Sequence, residues 1–257
     1  NTNSVTLPAN HGITIGASNI TITVSTKDGG SQTRSSITWS GIRVRPTVGT
    51  PLAANTITMS TSSTATVTGI TKGSTSFGTL TEVAGLAVAV RPETPANGSG
   101  TVVPAQNVTA GTSVILYAIT RDAFGNFVTN TPADSWSLAN RTGRVADGDL
   151  VPAADGKSAV CTGHGVGSAR VHASASGLAA TDSGTLTVVP ASVSKLFVTL
   201  PDQTFTDGSG PAGNPLPQTA GTPFVLAQLT ATDPFTNINT GYSGSRTIFY
   251  TGPGGSP

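Results

Sequence analysis

The sequence predicts an all-β chain organised as tandem antiparallel β-sandwiches, and three observations carry that expectation. Good helix formers are scarce: Glu occurs twice (Glu82, Glu93), Met once (Met59) and Lys four times, while Thr, Val and Ile dominate. In most apolar stretches, apolar and polar residues alternate with a period of two. That pattern gives each strand one apolar and one hydroxyl-rich face. Between the stretches lie Gly, Pro and Asp-Gly pairs suited to turns, drawn from 31 Gly and 17 Pro in 257 residues.

Taken in order, Ile20, Ile22 and Val24 are spaced by Thr21 and Thr23, and Asp28-Gly29-Gly30 then supplies a turn. Ile42 and Val44 flank Arg43, and Ile57-Thr58-Met59 and Ala65-Thr66-Val67 follow. Leu86-Ala87-Val88-Ala89-Val90 opens the middle of the chain. Residues 114–119 and 224–229 are denser apolar runs, the pattern of central strands covered on both sides. Asp147-Gly148 and Asp155-Gly156 read as turns, followed by strands at Ala169-Arg170-Val171-His172-Ala173 and Leu186-Thr187-Val188. Leu196-Phe197-Val198-Thr199-Leu200 is the last alternating strand, and Gly252-Pro253-Gly254 is a turn. Short strands separated by frequent turn signals are the mark of a sandwich.

Part of the pattern repeats. Gly98-Ser99-Gly100 and Thr109-Ala110-Gly111-Thr112 return as Gly208-Ser209-Gly210 and Thr219-Ala220-Gly221-Thr222, about 110 residues later. Each Thr-Ala-Gly-Thr leads through an apolar strand to an Asp-x-Phe element, Asp122-Ala123-Phe124-Gly125-Asn126 and then Asp233-Pro234-Phe235-Thr236-Asn237. One immunoglobulin-like sandwich takes around 100 residues, so the period is that of one such module. The boundaries fall at 1–85, 86–189 and 190–257, with short linkers at Ala84-Gly85-Leu86 and Pro190-Ala191-Ser192. The middle module has room for seven strands, whereas the two end modules fall short of a full set. Such ends expose unpaired strand edges. They imply either a piece of a longer protein, the simpler alternative, or ends completed by neighbouring copies through strand addition.

Composition excludes several function classes. Charged residues make up 10% of the chain and the net charge is +1, against about 25% charged residues in an average soluble domain. A surface of Thr, Ser, Asn and Gly does not suit a nucleic acid. No run of eighteen apolar residues is present to span a membrane, and the first residues lack the layout of a signal peptide, so any export signal is expected to be gone. Cys161 is the only cysteine, so no internal disulfide forms and packing alone must hold the fold.

Behind its Thr-Ala-Gly-Thr entry and apolar strand, Asp122-Ala123-Phe124-Gly125-Asn126-Phe127-Val128 resembles the Asp-x-x-Gly-Asn turn of bacterial immunoglobulin-like repeats of the invasin and intimin type. Residues 158–188, with Gly163-His164-Gly165-Val166-Gly167 and Ser176-Gly177, look like the closing half of such a domain. Pro201-Asp202-Gln203-Thr204-Phe205-Thr206 and Thr240-Gly241-Tyr242-Ser243-Gly244 resemble repeats of very long secreted bacterial surface proteins. So do residues 39–52, opening Trp39-Ser40-Gly41, and residues 77–85. The resemblance implies an extracellular bacterial stalk, adhesin or filament, with neighbouring copies or modules of the same protein as partners. One departure stands out: Thr236 replaces Gly125 in the second Asp-x-Phe turn.

Several residues are candidates for a site. Asp122 and Asn126 could offer oxygens to Ca²⁺, but Ca²⁺ takes six to eight ligands, and hydrogen bonding within a turn explains the pair more simply. Trp39, Arg43 and Arg45 could form a platform for a surface glycan or an anion; a bulge at Gly41 would instead turn Trp39 into the core. His11, His164 and His172 stand at no metal-ligand spacing from one another or from Cys161, and His164 and His172 are expected to be solvated. Cys161 is expected to be a structural thiol and Trp136 a core anchor. Lys195, a conceivable isopeptide former, has no evident acid beside it. Nucleophile-elbow, phosphate-loop and zinc-protease motifs are missing from the sequence. The expectation is a non-enzymatic structural protein without a cofactor, the alternative being a carbohydrate- or ligand-binding module of a larger secreted protein.

Overall fold

The computed structural model describes residues 13–16, 19–23 and 50–243, and the chain divides into two compact units, residues 1–47 and 48–257. Among the described residues the secondary structure is β throughout, apart from one 3₁₀ turn at Asp147–Asp149. In the first unit, β1 (Ile13–Ile15) pairs antiparallel with β2 (Ile20–Ile22), joining Ile13 to Ile22 and Ile15 to Ile20. The sequence-predicted strand at Ile42 and Val44 and the turns at 28–30 and 252–254 lie outside the described residues.

The second unit begins with a hairpin of β3 (Ala54–Thr58) and β4 (Ser76–Thr81), bulged between Thr56 and Thr58. Ala65-Thr66-Val67, predicted as a strand, lies instead in the connection, where the Ile70 N–H donates to the Val67 carbonyl at 3.2 Å. Alternation makes a strand only where a neighbour accepts its ladder hydrogen bonds, and here the backbone bonds are spent on turns.

Ten strands then build a central body of two facing sheets. They are β5 (Ala89–Glu93), β6 (Gln106–Thr109), β7 (Ser113–Arg121), β8 (Phe127–Asn130), β9 (Ser135–Gly143), β10 (Leu150–Pro152), β11 (Ser158–Thr162), β12 (Gly167–Ser174), β13 (Ala179–Ala180) and β14 (Leu186–Val189). One sheet runs β10-β11-β7-β5-β13, with β8 also paired to β7; the other runs β6-β14-β12-β9. Pairing is antiparallel except at β13–β5 and β14–β6. Val103, Leu116, Leu150, Ala159 and Cys161 face Val108, Val171 and Leu186 in one buried cluster, against which Trp136 and Leu138 pack. The dense run 114–119 does become the central strand β7, while Leu86, at the start of the predicted 86–90 strand, is exposed and β5 begins at Ala89.

A buried ion pair spans β5 and β7. Arg121 Nε and Nη2 donate to Glu93 Oε1 and Oε2 at 3.0 and 2.5 Å, and Nη2 also reaches the Gly98 carbonyl at 2.8 Å. The two charges thus have both Coulomb and hydrogen-bond compensation, which burial requires, and the Glu93 hydrogen bond raises the Arg121 pKa.

Beyond Pro190, β15 (Lys195–Thr199) pairs antiparallel with β18 (Gln228–Thr232), and β16 (Thr204–Thr206) forms a hairpin with β17 (Gly210–Ala212). The β15–β18 register, Lys195 to Thr232 through Thr199 to Gln228, reproduces that of β5–β7, Ala89 to Arg121 through Glu93 to Tyr117. Phe205 of the small hairpin meets Phe197 with ring centroids 5.8 Å apart. The predicted strand at 224–229 differs from expectation: only Gln228 onward is strand, and Phe224, Val225 and Leu226 are exposed.

Candidate functional site

The two Asp-x-Phe elements fold into the same turn. In the first, Asp122 Oδ1 accepts the N–H groups of Phe124 and Asn126, both at 2.9 Å. Asp122 Oδ2 accepts the Asn126 amide at 3.0 Å and the Gly85 N–H at 2.9 Å. In the second, Asp233 Oδ1 accepts the N–H groups of Phe235 and Asn237, both at 2.9 Å, and Oδ2 accepts the Asn237 amide at 2.7 Å and the Ala191 N–H at 3.0 Å. Each buried carboxylate thereby fastens its own turn to the linker that precedes it, 84–86 or 190–192.

These bonds set the carboxylate pKa values. The Asn126 side chain leads the hydrogen bonds that hold Asp122 down to about 2 against the opposing effect of burial. For Asp233 burial acts upward, but the bonds from Asn237, Ala191 and Phe235 together win and lower it. Both oxygens of Asp122 already face N–H donors, an arrangement made for an anion in a turn rather than for a cation. Among the described residues no group of three or more His, Cys, Asp or Glu side chains is placed to hold a metal ion.

Thr236 keeps the turn that Gly125 makes. Its φ is +63°, beside +84° at Gly125. Its N–H donates to the Asp233 carbonyl at 3.1 Å, as Gly125 donates to Asp122 at 3.0 Å. A β-branched residue in the left-handed region is strained, so the carboxylate network imposes the turn even where the residue opposes it.

The second turn also grips the central body. Asn237 is fully buried; its Oδ1 accepts the Val166 N–H at 2.9 Å and a bond from Arg144 Nη2, and its Nδ2 donates to the His164 carbonyl at 2.7 Å. Arg144 Nε continues to Asp207 Oδ2 at 3.2 Å. Phe235 sets its ring edge-on to His164 at 5.3 Å, and with Ala191 it packs on the apolar cluster of Ala110, Val145, Ala169 and Val188. Gly111 makes room for it: a Cβ there would stand 3.1 Å from Phe235 Cε2. His164, expected to be solvated, is instead half-buried in this junction, its Nδ1 2.6 Å from Asp149 Oδ1.

The remaining sequence candidates fall elsewhere. Trp39, Arg43, Arg45 and His11 lie outside the described residues. His172 points away from buried Val171 and meets Asp182 at 2.7 Å. Cys161 is buried, and desolvation with the nearby Asp149 charge pushes its thiol up to about 11, away from the thiolate a nucleophile needs. Trp136 is half-buried and donates from Nε1 to the Gly156 carbonyl at 2.9 Å. Lys195 reaches the Pro234 carbonyl at 3.0 Å on the surface. Sequence reasoning found both Asp-x-Phe turns but missed Arg144, His164 and Asp207 as their partners; no local signal marks contacts made across 63 to 93 residues.

Compared with protein-family models, curated proteins and solved structures, the chain matches none.

Proposed function

We propose that the chain is a segment of a non-enzymatic structural protein, a tandem of immunoglobulin-like sandwiches serving as an extracellular bacterial stalk, adhesin or filament. The observation that carries this reading is the duplicated Asp-x-Phe-x-Asn turn, which ties a linker to its own module and, in the second copy, grips the module before it. A device repeated at the period of the modules serves the joints of an array. The strand orders β10-β11-β7-β5 and β6-β14-β12-β9 support the immunoglobulin-like assignment, since that fold sets four strands against three or more in the same manner. A surface with few charges suits a spacer more than a recognition site for a polyion.

The mechanism is mechanical. With the linker amide, the turn and the preceding module sharing one buried network, bending at 190–192 requires several hydrogen bonds to break together. Small-angle scattering on the intact chain and on the double variant Arg144→Ala, Asn237→Ala tests this. The wild type should scatter as stiffly joined bodies, and the variant should show the broadened distance distribution of a flexible joint. Indistinguishable curves, with the variant still folded, would count against a structural role for the junction.

A further inference from the structure

The β15–β18 ladder repeats β5–β7 in register, so the central body shows what its inner face is built to meet. In β5–β7 that face carries Val90 and Ala118, both 0% exposed, and the opposing sheet of β12, β14 and β6 covers it. The register-equivalent residues are Leu196 and Leu229. They are larger, yet 39% and 46% exposed. The other face of this ladder is covered: Phe197 meets Phe205, and Thr199, Thr230 and Thr232 are buried. One face is therefore finished and the other is apolar and open.

The same chain carries a second unfinished surface. The β3–β4 hairpin has no third strand among the described residues. Asn55 pairs with Leu80, so Ile57, two residues along β3, shares a face with Leu80. Ile57, Leu80 and the neighbouring Phe77 are each about half exposed. Both strands, Ala54–Thr58 and Ser76–Thr81, are free of charged residues, as is the ladder's open face. A lone hairpin is marginal in water and gains stability by laying an apolar face on another sheet.

Resting on the structural-array reading above, we infer that the open face of β15–β18 is covered by the β3–β4 hairpin of a second copy of this chain. Both surfaces are open in one and the same molecule, so the contact is made between copies. Hairpin and ladder are different surfaces, which makes the contact heterologous: each copy gives one and receives one, and assembly propagates head to tail. The hairpin plays toward the ladder the part that the β6-β14-β12 sheet plays toward β5–β7.

Light scattering after size-exclusion chromatography tests the inference on the intact chain. The wild type should form species whose mass rises with concentration. Leu229→Asp, which spoils the ladder, and Leu80→Asp, which spoils the hairpin, should each lose everything above monomer. An equimolar mixture of the two should give a dimer of twice the monomer mass and nothing larger, because one good hairpin and one good ladder remain. Leu196→Asp and Ile57→Asp repeat the two arms, and unchanged near-ultraviolet circular dichroism shows that each variant is folded. A wild type that stays monomeric would overturn the inference in favour of strands supplied within a longer polypeptide. So would single variants that still assemble, or a mixture that stays monomeric. The junction scattering experiment needs no assembly, so either conclusion can fail while the other stands.

Discussion

Asn237 Oδ1 accepts the backbone N–H of Val166 at 2.9 Å across 71 residues of chain. Asn237→Ala leaves that N–H without its side-chain partner at a buried site, a loss of about 1–3 kcal/mol. Hydrogen exchange measured by NMR should show the Val166 amide losing protection while amides of β7 and β11 keep theirs. Equal protection in wild type and variant would remove the junction's energetic content.

The two turns differ at one position, which makes them a test of backbone strain. Gly125→Thr copies the second turn into the first. The space is open, with nothing within 4 Å of the added Cβ, so only the left-handed backbone resists. The cost should be about 1 kcal/mol, and Thr236→Gly should return a similar amount. Midpoints in urea, at unchanged slope, report both.

Acid should weaken both turns. The folded-state pKa of Asp122 is about 2, below the unfolded value of about 3.9, and that of Asp233 is also lowered. A carboxylate depressed on folding contributes stability that is fully present above its unfolded pKa and is lost as pH falls toward its folded pKa. Stability should therefore hold level above about pH 5 and fall from about pH 4 to about pH 2. Asp122→Asn should lower stability at neutral pH and flatten that acid limb, as denaturant titrations at several pH values will show.

The Glu93–Arg121 pair should couple strongly. Arg121→Met strands a carboxylate that is 1% exposed, at a cost of about 3–5 kcal/mol. The double variant Glu93→Leu, Arg121→Met removes both charges and should cost less than Arg121→Met alone. A double-mutant cycle from denaturant unfolding gives the coupling; additive single effects would contradict it.

Period-two alternation made the strands legible wherever a neighbouring strand was available, as at 169–173 and 186–188. It misled at 65–67, where no neighbour pairs, and at 224–226, where apolar residues stay open. The repeat made both Asp-x-Phe turns legible, and even the doubt raised by Thr236 was visible in the sequence. The outcome at Thr236 was not, because four N–H donors converging on Asp233 decide it, and two of them come from side chain or linker. Register equivalence of Glu93 and Arg121 with Thr199 and Thr232 was equally hidden: an ion pair in one ladder becomes two buried hydroxyls in the other, without hydrogen-bond partners in the structure. Hydroxyls and charges share little at the level of sequence. Arg144 and His164 became junction residues only through contacts with a segment that folds far along the chain.

The parallel pairing of β6 with β14 has a consequence under load. Leu186 through Val189 lie beside Gln106 through Thr109 in the same direction, and β14 runs straight into the linker at Pro190. Tension entering before β6 and leaving after β14 drags the two strands past each other lengthwise. Their hydrogen bonds, with the flanking Gln106-to-Thr185 and Ala110-to-Val189 contacts, are then stressed simultaneously instead of parting one by one like a zip. A pulled chain meets its resistance at that seam.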